Sequence, residues 1–115
     1  MTDMRITPTI PPEIEAKRAE IVALCQRFGV TRLDLFGSST VGAFDPDTSD
    51  YDFLVTNPEG YDFGPWYGRF QDLQRELGWA MRARVELIEE RNVVKASVRD
   101  GIERSRVVVF DAAQA

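Results

Sequence analysis

The sequence predicts an α+β domain, α/β-like in its alternation, with helices packed on a small mixed β-sheet. Segments of helical period alternate with short apolar runs of strand character along the 115 residues. Gly, Pro or Asn punctuates most of the junctions, and neither a linker nor an internal repeat interrupts them. A hydrophobic content of 43% at this length supports one core.

The elements follow in order. Residues 1–10 are polar, contain Pro and Thr, and read as a flexible tail before a domain over 11–110. Pro11 and Pro12 suit a helix start. Ile14, Ile21, Leu24, Cys25 and Phe28 then follow a helical period to Gly29, the expected C-cap. Val30 to Phe36 alternates as a strand, with Leu33 and Leu35 on one face. Ser38 to Gly42 suits a short helical turn, and FDPDTS over 44–49 a loop.

Asp50 to Thr56 reads as a second strand with a buried FLV run, ended by the Asn57–Gly60 turn. Trp66, Phe70, Leu73 and Leu77 have helical spacing, with Gly78 as the expected end. Arg84 to Ile88 is a third strand. Val93 to Arg104 is a helix with Val94, Val98 and Ile102 on one stripe. Arg106 to Phe110 is a short last strand, and 111–115 is expected to fray.

Composition narrows the chemistry. The net charge of −5 argues against a stable nucleic-acid binder, which usually carries a basic face. One cysteine, Cys25, excludes an internal disulfide and suits a cytoplasmic setting, where it reads as a small core residue. The absence of histidine removes His-based triads and His zinc sites. Nothing in the chain reads as a secretion signal or a membrane span.

The chemistry lies in GSSTVGAFDPDTSDYD, residues 37–52. Asp50 and Asp52 are two apart in a strand, so both carboxylates point to one face. Their repulsion is relieved by a cation, and a hard oxygen-liganded ion such as Mg2+ is the natural one. Alone, the common tripeptide reads better as a turn and a solvated strand edge. Gly37-Ser38 shifts the weighting. A Gly-Ser turn between strand and helix allows close approach to a phosphate and favours anions. Gly37 and Gly42 share the glycine spacing of a P-loop, but Ala43 and Phe44 replace its Lys and Ser/Thr. Asp45, Asp47 and Ser49 briefly mimic an EF-hand, yet Asp50 and Thr56 stand where Gly and Glu are needed.

GSxxxG, a short loop and SDYDFLV together resemble the polymerase-beta-type nucleotidyltransferase superfamily. Within it, the chain is similar to the minimal nucleotidyltransferases (MNT), antitoxins that pair with HEPN toxins. The resemblance extends to about residue 110 and includes the VELI strand and the late IERS segment. It implies a metal site of three carboxylates. Asp50 and Asp52 match the first two, and Glu86 stands where the third Asp usually sits. Glu is one methylene longer than Asp, and Mg2+ tolerates little error in its octahedron. Glu86 can also serve as the base for the attacking hydroxyl.

The resemblance further implies two Mg2+ ions and ATP as substrate, with Gly37 and Ser38 on the β- and γ-phosphates. The implied reaction is transfer of AMP to a tyrosine of a HEPN-type toxin partner, with a possible hetero-oligomer. Two alternatives stand beside it. One is a catalytically inactive antitoxin that neutralises by binding, motivated by Glu86. The other is a nucleotidyltransferase for a small molecule of the aminoglycoside type.

Arg82 and Arg84 read as strand-flanking residues or as phosphate neutralisers. Tyr61, Phe63, Trp66 and Tyr67 read mainly as core, or as a base-stacking or partner surface.

Overall fold

The computed structural model describes residues 7–42, 45, 50–60 and 68–114. Helices α1 (Pro12–Ala16) and α2 (Arg18–Phe28) come first, then β1 (Arg32–Phe36) and a 3₁₀ turn over Gly37–Thr40. Strand β2 (Tyr51–Thr56), helix α3 (Gly68–Met81) and strand β3 (Val85–Glu89) follow. A 3₁₀ turn over Glu90–Asn92, helix α4 (Ala96–Ser105) and strand β4 (Val107–Asp111) complete the sheet. The strand order is β3-β2-β1-β4. β1 runs antiparallel to both neighbours, whereas β2 and β3 are parallel and joined through α3. The sheet is therefore mixed, as expected.

The two faces follow from strand alternation. Leu33, Leu35, Phe53, Val55 and Leu87 pack under α1, α2 and α3, against Ile14, Ile21, Leu24, Phe28, Leu73 and Leu77. Cys25 joins this core, and burial pushes its thiol up to about 12, which makes it a packing residue. On the other face Leu54, Val93 and Ile102 form a smaller cluster with Phe36 and Ile88, beneath α4. Both outer strands carry side-chain cover. Arg18 donates to the carbonyls of Val108 and Val109 on β4, and Gln74 accepts the Leu87 N–H of β3.

Several expectations need correction. The first helix turns at Lys17 (φ −104°, ψ 5°), which divides it into α1 and α2. Gly29 caps α2 as expected, with φ 71°. Gly78 does not end α3; the helix continues to Met81. Its cap is Arg82 at φ 52°, with Ala83 N–H bonded to Gly78 O and Arg82 N–H to Trp79 O. That pairing closes a helix whatever residue holds the left-handed position, so the glycine alone misleads. The Val94–Val98 stripe also fails. Both are exposed (88% and 47%), and α4 buries Ile102 and Ser105 while Val93 packs from the preceding turn.

The end of the segment read as a tail is fastened. Thr9 N–H bonds to Thr40 O, and Ile10 packs on the core. At the other end β4 reaches Asp111, and Ala112 N–H bonds to Thr31 O. The aromatic residues Tyr61, Phe63, Trp66 and Tyr67, and all of the 44–49 loop except the exposed Asp45, lie outside the described residues. Among the described residues no helix is long and apolar enough to cross a membrane.

Candidate active site

Sheet register brings the sequence-predicted residues to one end of the sheet. Phe36 at the end of β1 pairs with Asp52, and Asp52 pairs with Glu86 across the parallel ladder. Partners in register point to the same side of a sheet. Asp52 and Glu86 therefore project together, while Val85 and Leu87 turn to the opposite core. Glu86 is exposed and Asp52 is half-buried.

The next residue after Phe36 is Gly37, with φ 83°. A Cβ there would lie 2.8 Å from Asp52 Oδ2. Glycine is needed twice, for the left-handed backbone and to leave room for the carboxylate. The turn and Asp52 thus occupy one small space.

Electrostatics mark the same place. Burial first, then the charges of Glu86 and Asp50 and a hydrogen bond with Glu86, push the Asp52 carboxyl up to about 6. Carboxylates crowded in this way hold negative charge that a divalent cation would neutralise. The oxygen-only donor set also suits a hard ion. Asp50 stands somewhat apart. Its Oδ1 accepts a 2.8 Å bond from Arg84 Nε, and Tyr51 N–H bonds to Arg84 O at 3.0 Å. Among the described residues no three acidic side chains gather closely enough to hold an ion together. Asp52 and Glu86 offer the oxygen donors that a hard cation takes, while Asp50 is engaged by Arg84.

The short helical turn expected over Ser38 to Gly42 lies instead over Gly37–Thr40, and the amide of Gly37 is not free for a phosphate. It donates to Ser105 Oγ at 2.9 Å, from the last residue of α4. Ser38 is half-buried, and the hydroxyl of Ser39 is buried with no hydrogen-bond partner among the described residues. The sequence reading missed both Ser105 and the role of Arg84. Ser105 lies in the IERS segment four residues after Gly101, whose carbonyl its hydroxyl bonds at 2.9 Å. That spacing was a visible signal for a serine turned back on its own helix.

It also missed the buried charge beside the site. Asp34 is fully buried on the α4 side of β1 and is bonded by Arg106 and Arg32. Arg106 also reaches Glu103 at 2.7 Å and Glu90 at 3.2 Å. Burial works against the Arg106 charge, yet these acceptors hold its pKa above the ordinary value.

The Gly-Ser turn, Asp52 and Glu86 thus share one end of the sheet, and comparison with known proteins gives the class of the domain. The model of the nucleotidyltransferase domain matches residues 21–112, so the chain belongs to that family. A comparison with curated proteins returned no match. Among solved structures, one of a minimal nucleotidyltransferase is 26% identical with a TM-score of 0.64, covering 82% of this chain and 90% of that one. The complex of tri-AMPylated Shewanella oneidensis HEPN toxin with MNT antitoxin matches at 18% identity and TM-score 0.60, covering 87% of this chain and 74% of that one. A toxin–antitoxin structure with AMP-PNP matches at 20% identity and TM-score 0.63, covering 84% and 75%. The fold is that of the minimal nucleotidyltransferases.

Proposed function

We propose that this chain is a Mg2+-dependent nucleotidyltransferase, the MNT antitoxin of a HEPN/MNT pair. It transfers AMP from ATP to a tyrosine of its toxin. The observation that carries the reading is the shared place of Gly37, Asp52 and Glu86 at one end of the sheet, within a nucleotidyltransferase domain. The toxin partner and AMP are suggested by neighbours of the same fold, one with a tri-AMPylated HEPN toxin and one with AMP-PNP.

In this reading Asp50, Asp52 and Glu86 hold the metal, which when bound supplies positive charge against the triphosphate. Asp52 is already beside Glu86; Asp50 joins by exchanging Arg84 for the ion. Ser38 and the turn it opens hold the β- and γ-phosphates. Gly37 contributes shape and room, since its own N–H is taken by Ser105. The tyrosine oxygen attacks the α-phosphorus, the bond to the β-phosphate breaks, and pyrophosphate leaves. Glu86, exposed at the rim, takes the hydroxyl proton. The residues act by positioning and by charge.

The outward turn of Asp50 onto Arg84 favours a second reading, an antitoxin that neutralises by contact alone. One experiment separates them. The chain is co-expressed with the neighbouring open reading frame and supplied with α-labelled ATP and Mg2+. Label on the partner, absent with Asp50→Ala/Asp52→Ala, is expected. A stable complex that never acquires label overturns the catalytic reading in favour of the binding one.

A further inference from the structure

We infer that Ser105 and Thr40 are positioning residues that lock the Gly37–Thr40 turn in its triphosphate-binding shape. The inference rests on the proposed role of that turn. The turn is short, and its first residue sits at φ 83°. Such a conformation needs support from its surroundings, because unsupported glycine samples many others.

The support comes from the end of α4. Ser105 Oγ accepts the Gly37 N–H at 2.9 Å while donating to Gly101 O, which fixes the hydroxyl's orientation. Thr40 returns the contact. Its Oγ1 lies 2.6 Å from Ser105 O and 2.9 Å from Gly37 O. Both residues are buried, Thr40 at 2% and Ser105 at 8% exposure, so water does not substitute for these bonds. The turn's first N–H and first C=O are both engaged, one by each side chain. Neither hydroxyl is available to a nucleotide, so their effect on binding passes through Gly37 and Ser38.

Thr40 O also accepts the Thr9 N–H, which fastens the far end of the turn to the segment before α1. The turn is thereby held from both termini of the domain. Asp52 occupies the space beside Gly37, so a turn that relaxes also intrudes on the carboxylate.

The test compares binding of ATP and of AMP, each with Mg2+, by calorimetry on the full chain. AMP lacks the β- and γ-phosphates, so a loosened turn weakens ATP selectively. A merely structural defect lowers both together with the thermal midpoint. Ser105→Ala and Thr40→Val are each expected to weaken ATP by about five- to tenfold and leave AMP within about twofold. Thr40→Ser keeps the hydroxyl and is expected to restore ATP binding. Should Ser105→Ala fail to fold, the Thr40→Val and Thr40→Ser pair decides alone.

Ser38→Ala is the reference. Loss of ATP affinity in Ser38→Ala but not in the Ser105 and Thr40 variants overturns the lock while sparing the phosphate-binding turn. Unchanged ATP affinity in Ser38→Ala overturns the turn's proposed role, and the lock with it. Equal losses for ATP and AMP in the Ser105 and Thr40 variants also overturn the lock.

Discussion

At the residue scale, Gly37 and Asp52 constrain one another. Gly37→Ala places a carbon 2.8 Å from the Asp52 carboxylate and forces alanine to φ 83°. It is expected to destabilise the fold by about 1–3 kcal/mol, read by denaturant unfolding, and to cut AMP transfer sharply. Asp52→Asn separates stability from activity. The folded carboxyl sits at about 6, above its ordinary 3.8, so the folded state holds its proton more tightly than the unfolded chain. Its ionisation therefore removes stability as pH rises from about 4 to about 6. Without metal at neutral pH, Asp52→Asn should gain roughly 1 kcal/mol, discounted for the solvent reaching this partly exposed group. Transfer should fall by more than about a hundredfold. Under the proposed function a cation competes with the proton for this carboxylate, so Mg2+ affinity of the wild type should weaken as pH falls through about 6. A profile flat from about pH 5 to about pH 8 would contradict this.

The candidate carboxylates were legible because strand alternation puts Asp50 and Asp52 on one face, and the family resemblance points to Glu86 on the next strand. Arg84, Ser105 and Thr40 were not. Their roles arise from side chains that meet across 34, 68 and 65 residues of sequence, and no local period encodes such meetings.

At the element scale, helices and strands were largely readable, and each failure has a physical cause. Leu73 and Leu77 lie fully buried where the period placed them on α3. Leu73→Ala or Leu77→Ala should each cost about 2–5 kcal/mol, measured by denaturant unfolding. The end of α3 was misread because the cap depends on backbone geometry at Arg82 rather than on the nearby glycine. The start of α4 was misread because Val94 and Val98 mimic a buried stripe that the sheet leaves uncovered. Asp34 was hidden in an alternating strand, where a polar residue between Leu33 and Leu35 ordinarily faces water. Here α4 and Arg106 cover it. Asp34→Ala leaves the Arg106 guanidinium half-paired and should destabilise by roughly 3 kcal/mol, seen as a lower denaturation midpoint.

At the scale of the whole molecule, the two sheet faces divide the work. The α1–α3 face carries the larger core, and the α4 face carries Asp52, Glu86, the polar network and the support of the turn. Nucleotide should therefore register as global stability. ATP with Mg2+ at about a hundred times its dissociation constant adds roughly 2.7 kcal/mol, a thermal shift of several degrees. The shift should vanish in Asp50→Ala/Asp52→Ala. An equal shift in that variant would place the nucleotide elsewhere.

The position of β4 has a consequence for biosynthesis. β1 is a central strand, and its outer partner, β4, is the last strand in chain order. The serine that grips Gly37 lies one residue short of that strand, at the end of α4. On a ribosome the carboxylates of β2 and β3 emerge well ahead of the residues that complete the sheet and brace the turn. A nascent chain would carry these carboxylates before the Gly37 turn is braced, so under the proposed function nucleotide capture would await emergence of residue 111. Binding competence would then report that residue 111 had cleared the ribosome.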